Sequence, residues 1–189
     1  MKSVIVLLAD GFEEVEAVTP IDILRRGEVK VTVLGVTGRT VTGSRNIVVE
    51  ADMELCEYHN DPDAVIIPGG LPGATNIASS RKAVEIIKRI YAEGGLVSAI
   101  CAAPAKVLAP LGILRDKNAT CYPGLENELT MKGASFSDAP VVKDGNIITS
   151  RAVGTALQFS LEILAYLQGE EIAEKVKTAV LFHSCCTDT

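Results

Sequence analysis

Short runs of apolar residues, each followed by a stretch in which apolar positions recur every three or four residues, alternate along most of the chain. That alternation marks parallel strands joined by crossover helices. Strands are predicted at 3–9, 30–36, 64–67, 96–100 and 147–149. The runs 64–67 and 96–100 are apolar on both alternations, as expected for strands covered by helices on both faces, which places them at the sheet centre. Spacings of three and four predict helices over 13–26, 80–93, 104–112 and 154–168, and a last one over 170–182. Pro20 predicts a kink in the first of these. Residues 40–50, with Val41, Ile47, Val48 and Val49 around a Gly43-Ser44-Arg45-Asn46 turn, predict a small hairpin or edge piece. The stretch 183–189 has no periodicity and is expected to fray. With no repeat and no linker, the 189 residues predict one α/β domain over 1–189.

Charge and composition narrow the classes of partner. A formal net charge of -6 without a basic run speaks against nucleic acid as the main partner and for small molecules. No apolar stretch reaches the roughly 18 to 20 residues of a membrane span. Met1-Lys2-Ser3 followed by six apolar residues reads as a first strand rather than a secretory signal, so the expected location is the cytoplasm. Five cysteines, at 56, 101, 121, 185 and 186, predict reduced thiols rather than a disulfide framework. No Cys-x-x-Cys pair exists and His59 and His183 fit no zinc spacing, so no metal is expected. Neither G-x-G-x-x-G nor a P-loop is present, and no cofactor is expected.

In an open parallel sheet the ligand crevice lies beyond the carboxyl ends of the strands. Three segments follow predicted strands there: Asp10–Glu16, Pro68–Gly73 and Cys101–Pro104. Ser98-Ala-Ile-Cys-Ala-Ala-Pro104 has the form of a nucleophile elbow, with the small residues Ala99 and Ala103 where the turn leaves no room. The helix expected after it would favour an anion at Cys101 and lower the thiol pKa. Gly69 and Gly70 let backbone approach a ligand, and Gly70 N–H beside Ala102 N–H forms a candidate oxyanion pair. Glu13 and Glu14 read as first-turn acids that complement the helix dipole. Glu16, flanked by Val15, Ala17 and Val18, is expected to point inward and keep its proton beside a Cys101 thiolate.

Taken together, Ala9-Asp-Gly-Phe-Glu-Glu-Val-Glu16, Ile67-Pro-Gly-Gly70, Ala99-Ile-Cys-Ala-Ala-Pro104 and Thr149-Ser-Arg151 with Gly154-Thr155 resemble the ThiJ/PfpI family, in register over roughly residues 3 to 180. Within it they look most like the Parkinsonism-associated deglycase branch and its bacterial counterparts. The resemblance implies a flavodoxin-like three-layer sandwich, a homodimer, and Cys101 and Glu16 at the positions of the family's nucleophile and acid. It further implies Arg45 reaching the neighbouring subunit's site. Two positions depart from the family pattern: Tyr122 stands where many members carry a histidine, and Ala102 where proteolytic and chaperone-like relatives carry one. Without such a base a Cys-His peptidase mechanism is not expected.

Two functions remain open at this point. One is a cofactor-independent enzyme of glyoxalase or deglycase type, converting methylglyoxal or glyoxal to a hydroxy acid, or acting on glycated adducts, through a Cys101 hemithioacetal with Glu16 as acid and base. The other is a non-catalytic oxidative-stress sensor or redox-regulated chaperone acting through oxidation of Cys101. The remaining cysteines default to structure, with Cys121 as a candidate resolving thiol.

Overall fold

The alternation read from the sequence becomes a seven-stranded sheet in a computed structural model that describes residues 1–182. His183, Cys185, Cys186 and the expected fraying of 183–189 lie outside the described residues. In chain order the strands are β1 (Ser3–Leu8), β2 (Lys30–Gly35), β3 (Thr40–Thr42), β4 (Val48–Glu50), β5 (Met53–Glu54), β6 (Ala64–Ile67), β7 (Leu96–Ile100), β8 (Asn118–Ala119), β9 (Ser135–Phe136), β10 (Val141–Asp144) and β11 (Ile147–Ser150). The α-helices are α1 (Glu14–Arg26), α2 (Gly73–Ser79), α3 (Arg81–Ala92), α4 (Glu126–Thr130), α5 (Ala156–Gln168) and α6 (Glu170–Ala179). The main sheet runs β10-β11-β7-β6-β1-β2-β5, parallel at every pairing except β10 with β11. β3 and β4 form the expected hairpin as a separate antiparallel pair, and β8 and β9 a short parallel one.

Period-two alternation along β1 divides the core into two layers. Ile5 and Leu7 pack with Ile86, Ile87 and Ile90 of α3, whereas Val4, Val6 and Leu8 pack with Ile23 and Leu24 of α1 and Phe159 and Leu164 of α5. Helices therefore cover both faces, the α/β arrangement the alternation predicts and the flavodoxin-like sandwich the resemblance implies. Burying each such side chain stabilises the fold by roughly 1.5–3 kcal/mol, which is why β6 and β7 at the centre are buried at every position.

Several elements differ from expectation. Residues 104–112 do not form an α-helix: Pro104–Leu108 is a single wide π-helical turn, closed by Ala109 N–H on Pro104 O at 2.9 Å, and turns follow it. The segments α2, α4, β5, β8, β9 and β10 were not expected. They are too short for periodicity to show, and β10 comes into being by pairing with β11. Pro20, where a kink is predicted, lies inside α1, which is continuous from Glu14 to Arg26. The proline has no N–H, so the Glu16 carbonyl loses its helical donor while the helix continues.

Candidate active site

The carboxyl ends of β1, β6 and β7 bring the three predicted segments to one place. After β1 the chain turns at Ala9–Phe12, and Glu13 caps α1 by accepting Glu16 N–H at 3.0 Å. Glu13 N–H in turn bonds Gly69 O at 3.0 Å, so the loops after β1 and β6 are joined by backbone. Glu16 is fully buried, and its Oε2 accepts Gly69 N–H at 3.0 Å. Gly69 lies between the two reactive groups: a Cβ there would stand 2.5 Å from Glu16 Oε2, 2.6 Å from Cys101 Cβ and 3.0 Å from Sγ. Only glycine permits Glu16 and Cys101 to approach this closely.

Cys101 takes φ of +65° at the end of β7, a left-handed conformation that a side chain adopts only where its surroundings impose it. Two backbone bonds impose it: Cys101 N–H donates to Ser150 O at 2.9 Å, and Cys101 O accepts Tyr122 N–H at 2.8 Å. Ser150 is fixed in turn through its hydroxyl, 2.9 Å from Pro140 O and 2.6 Å from Thr155 Oγ1. The elbow predicted from Ser98–Pro104 is present, without the α-helix expected to follow it.

Burial pushes the Glu16 carboxyl up to about 7; the nearby Cys101 thiol and Gly69 N–H pull it back, and the Glu13 charge adds to it. Burial also pushes the Cys101 thiol up, to about 12, and the charge and hydrogen bonding of Glu16 push the same way. Backbone N–H groups of Gly70 and Ala102 oppose this and are outweighed. The expected lowering of the Cys101 pKa by a helix N-terminus is therefore corrected: no α-helix starts there, and a buried thiol facing a carboxylate holds its proton. The two groups titrate as a pair that shares one proton above about pH 7. With that proton on Glu16 the like charge facing the sulfur is gone, so the pair can also exist as carboxylic acid and thiolate. Glu16 Oε1 is buried and has no hydrogen-bond partner among the described residues.

Above the pair opens a cavity of about 560 Å³, with Glu16, Gly70, Cys101 and Ala102 at its floor and Glu13, Ser44, Arg45, Leu71, Tyr122 and Val153 among its walls. Of the predicted site residues only Gly69 is absent from the lining; its N–H is engaged by Glu16. Arg45 lines the cavity of its own chain. Tyr122 presents a half-exposed ring to it. Glu13, Ser44, Leu71 and Val153 were not foreseen; only Glu13 left a sequence signal, an acid three residues before Glu16 at a helix start. Glu14 lies in the first turn of α1, as expected of an acid that complements the helix dipole, but it is also 5% exposed and bonded to the 43–47 turn. Cys121 is fully buried in the core layer of β7, its thiol pushed up to about 11 by burial and the charge of Glu126. Cys56 and His59 are exposed, and neither lines the cavity. Among the described residues no group of three or more His, Cys, Asp or Glu could hold a metal ion, and no helix is long and apolar enough to cross a membrane.

A strained cysteine at the carboxyl end of a central parallel strand, with a buried glutamate from the first crossover helix beside it, defines a class of α/β proteins built around one thiol–carboxyl pair. Residues 2–166 match the model of the DJ-1/PfpI family, and the chain belongs to that family. It is 40% identical over 182 residues to protein dj-1beta of Drosophila melanogaster, covering 95% of this chain and 97% of that one. The crystal structure of that fly protein superposes with a TM-score of 0.92 over 97% of this chain and 99% of its own, at 39% identity. A mutant of a DJ-1 superfamily protein from Salmonella typhimurium also gives 0.92, at 35% identity, over 97% and 100%. A protein of Pyrococcus abyssi named as a deglycase is 34% identical over 166 residues, 87% of this chain and 99% of that one.

Proposed function

We propose that this protein is a cofactor-independent cytoplasmic enzyme acting on reactive dicarbonyls, methylglyoxal and glyoxal or their early adducts with amines and thiols. The observation that supports this most is the buried Glu16 carboxyl, held near neutral pKa against the strained Cys101 with one oxygen unpartnered among the described residues. The deglycase name of the Pyrococcus relative supports it from outside the structure.

In the reactive form the shared proton is on Glu16 and Cys101 is a thiolate. Sulfur adds to the aldehyde carbon, and Glu16 gives its proton to the aldehyde oxygen as the C–S bond forms. The Gly70 and Ala102 N–H groups face the same region and would steady the developing oxyanion. The Glu16 carboxylate then takes the hydrogen of that carbon as a proton and the electron pair passes into an enediol; the proton returns to the neighbouring carbon while the hydroxyl proton of the first carbon passes to the oxygen of the second. A thioester remains, and water splits it into the hydroxy acid and the free thiol. One carbon is oxidised and its neighbour reduced, so the step balances without an external oxidant or reductant.

Arg45 and Tyr122 are proposed as substrate-contacting residues at the rim. A homodimer is also proposed, supported by family membership and by exposed Val15 and Val18 on α1 beside exposed Ile47 and Val48 on the hairpin. The second reading, an oxidation sensor, draws on the same N–H pair, which could hold the oxygens of a sulfinate. A methylglyoxal time course separates the two. Wild type is expected to release lactate in large molar excess over protein, and Cys101→Ser none; a stoichiometric burst, or equal turnover by Cys101→Ser, would overturn the enzymatic reading.

A further inference from the structure

Glu14 is two residues from Glu16 on α1 and faces the opposite way, into the turn of the β3–β4 hairpin. Its Oε1 accepts Arg45 N–H at 2.6 Å and, at a longer 3.4 Å, Ile47 N–H; its Oε2 lies 3.3 Å from the Ser44 hydroxyl. Gly43 makes the seat possible, because a Cβ there would overlap the carboxyl group. The base of the hairpin has other ties: Gly11 N–H donates to Thr42 O, and Thr42 N–H to Asp10 Oδ1, each at 2.8 Å. At the tip, among the described residues, Glu14 is joined by Ser44 N–H on Phe12 O, at 2.7 Å. Ser44 and Arg45, the two residues at that tip, are cavity walls. A carboxylate with three donors is held ionised: burial pushes the Glu14 pKa up, but the hydrogen bonds from backbone and Ser44 more than offset it.

We infer that Glu14 is a positioning residue, whose carboxylate seats the hairpin tip and so aims the Arg45 guanidinium at the mouth of the Cys101 cavity. Arg45 makes no ion pair among the described residues, so its charge is available to an anionic group arriving there. The inference rests on reading this cavity as the reactive site. Its test measures thiol alkylation rather than dicarbonyl turnover, so either reading can fail without the other.

Cys101 is alkylated with iodoacetate and with iodoacetamide, and the extent at that residue is followed by peptide mapping. Aimed guanidinium favours the anionic reagent, so the ratio of the two rates is expected to fall about two- to fivefold in Glu14→Gln, the size of effect a displaced unit charge has in a solvent-screened cleft. Loss of the Glu14 charge by itself would act in the opposite direction and raise the ratio. General loosening of the site would change both rates together. Arg45→Gln should lower the ratio as far, and the double substitution no further. An unchanged or increased ratio in Glu14→Gln overturns the inference. Should that variant fail to fold, Glu14→Asp keeps the charge and withdraws it from the turn, and is read by the same criterion.

Discussion

Glu16 answers two opposed demands. It must be near enough to Cys101 to pass a proton, and for that it is buried where an ionised carboxylate is unwelcome. Its folded pKa, about 7 against an ordinary 4.5, means that the folded state binds more protons than the unfolded one between those values, so stability falls as pH rises through that window. The cost is fully present above about pH 7 and absent below about pH 4.5. Glu16→Gln can still accept Gly69 N–H but cannot ionise. It is expected to stabilise the protein at pH 8 by up to about 3 kcal/mol in urea unfolding, with little gain at pH 4. Its dicarbonyl turnover should fall by roughly 10²- to 10⁴-fold, the loss typical of a missing acid-base group. Wild-type turnover at the Glu16–Cys101 pair should rise with pH through a midpoint near 7, and that midpoint should vanish in Glu16→Gln. Equal stability and equal rates would reduce Glu16 to a buried helix acid. Cys101 and Glu16 were legible because each follows a predicted strand at a fixed, short distance. Glu14 was not, because its partners in the hairpin are some thirty residues away and nothing local distinguishes it from Glu13.

At the scale of elements, the helix–sheet contacts carry stability separately from the chemistry. Phe159 of α5 is fully buried among Val6, Leu24 and Ile148 in the layer opposite α3 and is not a cavity wall. Phe159→Ala should destabilise unfolding by about 3–5 kcal/mol through lost transfer energy and a residual void. The alkylation rate of Cys101 in the folded protein should stay near wild type, and a large change there would mean that the layer and the elbow are coupled. The strands read correctly from sequence are uninterrupted apolar runs, as in β1 and β6, and the helices are those in which spacings of three and four accumulate, as in α3 and α5. Those missed have no such run: β8 and β9 are two residues each, and α2 opens on Pro72-Gly73 with a weakly helical composition. The wide turn at 104–108 could not be told from an α-helix, since five residues are too few for a wider turn to show as a different spacing.

For the molecule as a whole, the proposed dimer is the assembly to test. Sedimentation at micromolar concentration should give about twice the 20.0 kDa of the chain; a monomer would remove both the shared interface and the case for Arg45 serving a neighbouring site. The open sheet raises a different matter at its two rims. β5 ends one rim after two residues, and β10 ends the other as a short antiparallel strand bearing Lys143 and Asp144, each engaged in an ion pair. A rim that is brief on one side and charged on the other gives an incoming strand little backbone to copy. The apolar richness of β6 and β7, which would make them templates for fibrous growth if they lay outermost, is sealed in the middle of the stack. The order of the strands thus acts as protection against self-propagating assembly, and the protein can be crowded without its most adhesive segments ever meeting their like.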